Sequence, residues 1–182
     1  MTTERKDKDY CVQRLQEDEQ GCLEDQCAAV SKLADEIWHE HYTPIIGTAQ
    51  VDYMIERFQS AERILGDIRN NGHTYFIANY EGSGELIGYC GVAPKEDCLL
   101  VSKLYVRQGS RGKGIARSFI DEVAALCRRE YGFYKIRLTV NKYNDGAIEV
   151  HKKNGFVIVD SVKADIGGGF FMDDYVMERL LL

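Results

Sequence analysis

The chain has 182 residues, 45% of them hydrophobic and 29% charged, with a formal net charge of −6 at pH 7. That length suits one domain with a full core. The acidic balance argues against nucleic acid, which calls for a basic face, and is compatible with a cationic substrate. The opening Met-Thr-Thr-Glu-Arg-Lys-Asp-Lys-Asp has no apolar h-region, and no apolar run approaches the ~18 residues of a membrane span. A soluble, cytoplasmic protein is expected.

A short opening strand is expected over Cys11–Gln16, where apolar and polar residues alternate. From Leu23, Cys27, Val30, Ala34, Ile37 and Trp38 recur at three and four, which predicts a helix. It is expected to stop at Thr43-Pro44, because the residue before proline is pushed out of the α region. Thr48 reads as the N-cap of a second helix with Val51, Met54, Ile55 and Phe58 on one side. Ser60 reads as the N-cap of a third, Ala61 to Arg69, closed by Asn70-Asn71-Gly72. Sheet follows: Thr74–Tyr80, a hairpin turn at Glu81–Gly84, Glu85–Ala93 and Leu99–Val106. Next come a helix to Arg129, a strand over Tyr134–Val140 and a short helix over Asp145–Lys153. Two last strands, Phe156–Val162 and Tyr175–Leu180, flank a Gly167-Gly168-Gly169 bend. No repeat or linker interrupts the chain. This order predicts one α+β domain over 1–182, a mixed central sheet of about seven strands with about four or five helices, one of them a crossover.

The six cysteines, at 11, 22, 27, 90, 98 and 127, form no Cys-x-x-Cys pair and match no histidine spacing. They read as buried or idle thiols rather than a zinc site.

The junction of the Leu99–Val106 strand with the following helix carries the strongest chemical signal. Between them lies Arg107-Gln-Gly-Ser-Arg111-Gly112-Lys113-Gly114-Ile115-Ala116, with three glycines and three basic residues. The helix then repeats apolar residues at Ile115, Phe119, Val123 and Leu126. A strand that turns directly into a helix leaves the first helical N–H groups unpaired, and with the macrodipole these favour an anion. Glycine lets the backbone approach that anion closely. A phosphate cradle and a plain strand–turn–helix are both open readings. A nucleotide P-loop is excluded because Gly114 follows Lys113 where Ser or Thr is needed. The dinucleotide fingerprint is excluded because Arg117 takes the third glycine's place.

The segment resembles the acetyl-CoA pyrophosphate loop of the GNAT acetyltransferases, Gln/Arg-x-x-Gly-x-Gly/Ala, met by Arg111, Gly114 and Ala116. A second signature of that superfamily, Asn-x-x-Ala-x-x-x-Tyr-x-x-x-Gly-Phe, is matched by Asn144, Ala147, Gly155 and Phe156, with His151 in the tyrosine's place. Two further stretches look like the bacterial branch that includes spermidine/spermine acetyltransferases. They are Thr43-Pro44 to Met54 with Phe58-Gln59-Ser60, and Ile166 to Phe170 with Met172-Asp173-Asp174-Tyr175-Val176-Met177.

The resemblance implies acetyl transfer from acetyl-CoA to a primary amine of a small molecule, with polyamines leading, by direct attack in a ternary complex. It implies no metal. Backbone groups along Leu104, Tyr105 and Val106 would hold the pantetheine arm. Backbone N–H groups across Arg111, Gly112, Lys113, Gly114, Ile115 and Ala116 would bind the pyrophosphate. Asn144 would hydrogen-bond the pantetheine, and Lys153 could reach the adenosine phosphate. The family's tyrosine gives a proton to the departing thiolate. His151 can do that chemistry from a reference pKa of ~6.5, with Tyr143, Tyr175 or water as alternatives. Glu40, Asp52, Glu56, Asp173 and Asp174 are candidate bases or cation-holders, Glu56 foremost. Trp38 and Tyr53 are candidate walls of the amine site, and His39 and His41 read equally as solvated caps. Two other readings stay open: a protein N-terminal or lysine acetyltransferase with a more open groove, and a CoA-binding sensor without turnover. A homodimer, common in the superfamily, is compatible with the sequence.

Overall fold

The computed structural model of the protein describes residues 9–17 and 23–181, so the readings of the first eight residues and of Cys22 fall outside it. The elements, in chain order, are β1 (Tyr10–Arg14), α1 (Leu23–Ile46), α2 (Thr48–Phe58), α3 (Ala61–Asn70), β2 (Thr74–Tyr80), β3 (Leu86–Pro94), β4 (Leu99–Val106), α4 (Ile115–Leu126), β5 (Lys135–Asn141), α5 (Asp145–Lys153), β6 (Val157–Gly167) and β7 (Phe170–Leu180). A 3₁₀ turn at Gln108–Ser110 precedes α4, and a π-helical turn at Cys127–Tyr131 follows it. The seven strands form one sheet in the order β1-β2-β3-β4-β5-β7-β6. Every neighbouring pair is antiparallel except β4 and β5, which α4 joins as the crossover.

The sheet is covered on both faces. On one, Ile115, Phe119, Ile120 and Val123 of α4 pack on Phe76, Ala78, Cys90 and Val101. On the other, Val30, Leu33, Ile37 and Trp38 of α1, with Val51, Met54 and Ile64, pack on Tyr75, Ile77 and Tyr89. Alternate residues of β2 thus serve the two layers, as the period-two pleat requires. No helix among the described residues is long and apolar enough to cross a membrane.

Three local expectations change. Helix α1 does not stop at Thr43-Pro44 but runs to Ile46, with Pro44 inside its last turn. Proline there removes one helical N–H donor near the end of a long helix, a smaller loss than in mid-helix. The terminator is Gly47, at φ +83°, whose amide donates to the Thr43 carbonyl at 3.0 Å. Gly47 also replaces Thr48 as the residue that precedes α2, and no side chain caps that helix. Strands β6 and β7 are longer than expected because they pair with each other up to Gly167 and Phe170, beyond the reach of β5. Ser60 does cap α3, its side chain accepting from the Arg63 amide at 3.2 Å.

Candidate active site: a cleft where two strands part

Strands β4 and β5 are paired only over Leu99–Val101 against Ile136–Leu138. Beyond Val101 they part, and the cause is local. Opposite β3, Val92 pairs with Val101 but Gly91 pairs with Lys103, so Ser102 is an extra residue in β4. Its hydroxyl donates to the Gly91 carbonyl at 3.1 Å. A one-residue bulge bends its strand, and this one lies where β4 leaves β5. The Arg107 amide donates to Ile87 of β3 at 2.9 Å. In an antiparallel ladder alternate residues turn their backbone groups opposite ways. Tyr105 therefore bonds towards β3, while Leu104 and Val106 present N–H and C=O to the open cleft. Arg111 Nε takes the Val106 carbonyl at 3.0 Å.

The loop after β4 delivers α4 to the same cleft. Gly112 and Gly114 stand at φ +79° and +86°, a region L side chains rarely adopt. The first amide to find a helical partner is that of Ser118, which donates to Gly114 at 3.0 Å. The amides of Ile115, Ala116 and Arg117 precede it and are the orphan donors of a helix start. A cavity of about 480 Å³ runs from Leu104–Val106 across this loop to Asn144, His151 and Lys153 on α5. An extended, unpaired strand edge beside a ring of free N–H groups fits a linear ligand ending in a pyrophosphate.

A second cavity, of about 300 Å³, lies between the α1–α3 layer and the parted strands. Both cavities are lined by Tyr42, Leu104, Tyr105, Ala147 and His151, which mark where they meet. Tyr42 stacks on Trp38 at 4.5 Å between ring centroids, and burial pushes its hydroxyl up to about 12. The tip of the β6–β7 hairpin lines this second cavity with Ile166 and Met172. It is tied to α2 twice: Tyr53 Oη donates to Ile166 O at 2.7 Å, and Gln50 Nε2 to Phe171 O at 2.8 Å. Asp174 lines the cavity from β7, 4% exposed, with Oδ1 lacking a partner. Burial, reinforced by the charge of Asp173 and opposed by a Thr139 hydrogen bond, raises its carboxyl to about 6.

Residues 31–156 match the model of the acetyltransferase (GNAT) family. The chain belongs to that family. It is therefore an acetyltransferase, built on the GNAT fold. Among solved structures it is similar to the PaiA N-acetyltransferase of Thermoplasma acidophilum in complex with coenzyme A, at 19% identity and a TM-score of 0.74, over 93% of this chain and 99% of that one. It is similar to a chimera of the Vibrio cholerae spermidine N-acetyltransferase SpeG with hSSAT, at 18% identity and a TM-score of 0.64, over 95% and 96%. A GNAT acetyltransferase of Streptococcus pneumoniae aligns at 16% identity and a TM-score of 0.65, over 94% and 99%. A search of curated proteins returns no match.

Within this GNAT fold the expected site residues divide. Leu104, Tyr105, Val106, Arg111, Gly112, Gly114, Ile115, Ala116, Asn144, His151 and Lys153 come together around the larger cavity. Lys113 does not line that cavity: its ammonium turns away to Asp9 at 3.1 Å and the Tyr80 hydroxyl at 2.9 Å. Asn144 caps α5 through the Ala147 amide and is held by His41 at 3.2 Å and Tyr42 at 3.3 Å. His41, whose pKa burial and Arg111 lower, is thus part of the cleft wall rather than a solvated cap. His151 is buried, which drops its pKa to about 4, and its Nδ1 has no partner among the described residues. Glu56 sits on the exposed face of α2 and lines neither cavity, and Tyr175 lines neither, packing instead against the α4-side core. Glu40 and Asp52 are exposed, the latter paired with His39 at 2.8 Å, and Asp173 is paired with Lys142 at 2.5 Å. Trp38 walls the smaller cavity, whereas Tyr53 acts through the hairpin tip.

Sequence reasoning missed four residues that line the smaller cavity: Arg63, Asp67, His73 and Lys103. Two left a trace. Lys103 is a charged residue inside the apolar run of a strand, and Asp67 interrupts the apolar stripe of an amphipathic helix after Ile64.

Proposed function

We propose that the protein transfers an acetyl group from acetyl-CoA to a primary amine of a small molecule, both bound at once. The observation that carries this is the meeting of two cavities at Leu104, Tyr105 and His151. One is shaped by free strand edge and helix N–H groups, the other lined by aromatic and ionisable side chains. Acetyl-CoA supplies the acetyl group as a thioester. The amine nitrogen bonds to the acetyl carbon as the carbon–sulfur bond breaks, giving an amide and a thiolate. The free N–H groups of Leu104 and Val106 are the donors available to the developing oxyanion.

An amine with a pKa of ~10.4 arrives mainly as ammonium. Asp174, buried and unpaired at Oδ1, is the group positioned to accept its proton, in place of Glu56. His151 is neutral near pH 7, so its role is a hydrogen bond to the departing sulfur and not delivery of a proton from imidazolium. Docking of the β6–β7 tip on α2 supports a small acceptor over a protein segment, because a peptide needs a groove open along this side.

Release of CoA thiol from acetyl-CoA, measured across small amines and lysine peptides with mass detection of the acetylated product, tests the reading. Amine-dependent release with N-acetylated small amine is expected. Saturable acetyl-CoA binding with no release for any amine would support the sensor reading instead, and release with peptides alone the protein-acetyltransferase one.

A further inference from the structure

The smaller cavity carries its charge unevenly. Asp67, 0% exposed, accepts from Arg63 Nε at 2.9 Å, Asn71 Nδ2 at 3.2 Å and the Tyr75 hydroxyl at 3.3 Å. Lys103 Nζ lies 3.7 Å from the same carboxylate, too far for a full hydrogen bond, and 5.4 Å from the centre of the Tyr75 ring. Within this cluster one carboxylate faces two cations, which leaves a net positive charge there, and Asp174 is the other carboxylate of the lining. His73 adds no charge to the cluster: burial lowers its pKa, and its Nδ1 is 3.7 Å from Asp67 and without a hydrogen bond. Arg63, Asp67, His73 and Lys103 line this cavity and not the coenzyme one.

A lysine 7% exposed is costly unless an anion meets it, and burial already lowers its pKa against the pull of Asp67. A polyamine brings only cations. It would find Asp174 and, beyond it, an Asp67 already enclosed by Arg63, Lys103 and a phenol. Resting on the reading of this cavity as the acceptor site, we infer that the acceptor is a zwitterion, a primary amine bearing a carboxylate. The carboxylate is held by Lys103 and Arg63 while the amine lies toward Asp174. The rest of the lining, including Trp38, Met54, Phe58 and Met172, gives the body of that acceptor an apolar bed.

The test uses the purified full chain, acetyl-CoA and matched acceptors with and without the carboxylate: lysine against cadaverine, phenylalanine against phenethylamine, 6-aminohexanoate against hexylamine, with spermidine beside them. At least one amino carboxylate is expected to exceed its partner amine in kcat/KM by about tenfold or more, mainly through KM. Lys103→Met and Arg63→Gln should each shrink that ratio and leave the KM for acetyl-CoA in place. Arg63, with a side chain 47% exposed, keeps the test open should Lys103→Met not fold. Spermidine or the plain amines turned over as well as the amino carboxylates, or a ratio that neither variant moves, would overturn the zwitterion while acetyl transfer stands. No turnover with any amine would overturn both.

Discussion

Asp174 sits where activity and stability pull in opposite directions. Its carboxyl titrates near 6 in the fold and near 3.9 in an unfolded chain, so the native state binds the extra proton between those values. Stability contributed by this group therefore falls as pH rises from about 4 to 6 and stays reduced above. Asp174→Asn is expected to raise unfolding stability by up to about 3 kcal/mol at pH 7, with the difference vanishing below about pH 4. Denaturant melts at both pH values check this. The same variant should lower kcat by ~10²-fold or more and remove the limb of the pH–rate profile near 6. A fully active Asp174→Asn enzyme would show that water or another group takes the proton. His151 is smaller than the family's tyrosine and lies buried beside Phe156 at 5.9 Å between ring centroids. His151→Ala should cost about tenfold in kcat with little change in the acetyl-CoA KM, and the kcat of the low-pKa thiol ester of thiophenol should suffer less. Asp174 was among several acids in the sequence, and nothing in its neighbourhood of residues distinguished it from Asp173. Burial does, and burial is a property of the assembled sheet.

The elements that make the site are a bulged strand and a docked hairpin. The β4 strand was legible in full, since its apolar, β-branched run and the glycines after it have local signatures, and so was α5 over Asp145–Lys153, although its Asn144 cap was not. The bulge at Ser102 was not, because it exists only in the register against β3. The full length of β6 and β7 was hidden for the same reason: β6 is mostly exposed, and the outer part of β7 lies beyond β5, so both are defined there by pairing with each other rather than by a buried alternating face. At their tip a Cβ on Gly167, at φ +89°, would lie 2.6 Å from Tyr53 Oη. Gly167→Ala must therefore shift the turn or the phenol that anchors it. A rise in the amine KM of about tenfold with the acetyl-CoA KM held is expected, read from steady-state kinetics. An equal rise in both would mean that the tip does not belong to the acceptor side alone. Away from the site, loss of the α3 cap in Ser60→Ala should cost about 1 kcal/mol in a thermal or denaturant melt.

Across the whole molecule, composition and two spaced motifs were enough to specify one α+β domain and a glycine-rich strand–helix junction, because those signals are local or repeat at helical and strand periods. The smaller cavity draws Arg63 and Asp67 from α3, Lys103 from β4 and Asp174 from β7, and no sequence spacing announces that meeting. The same arrangement makes the central claim testable at the level of the intact enzyme. If the two cavities hold their ligands together, both substrates must be present before the first product leaves. Initial rates of CoA release over a matrix of acetyl-CoA and amine concentrations measure this directly. Intersecting double-reciprocal lines are the expected result, and parallel lines, the mark of an acetylated enzyme released from its first product before the amine binds, would contradict it.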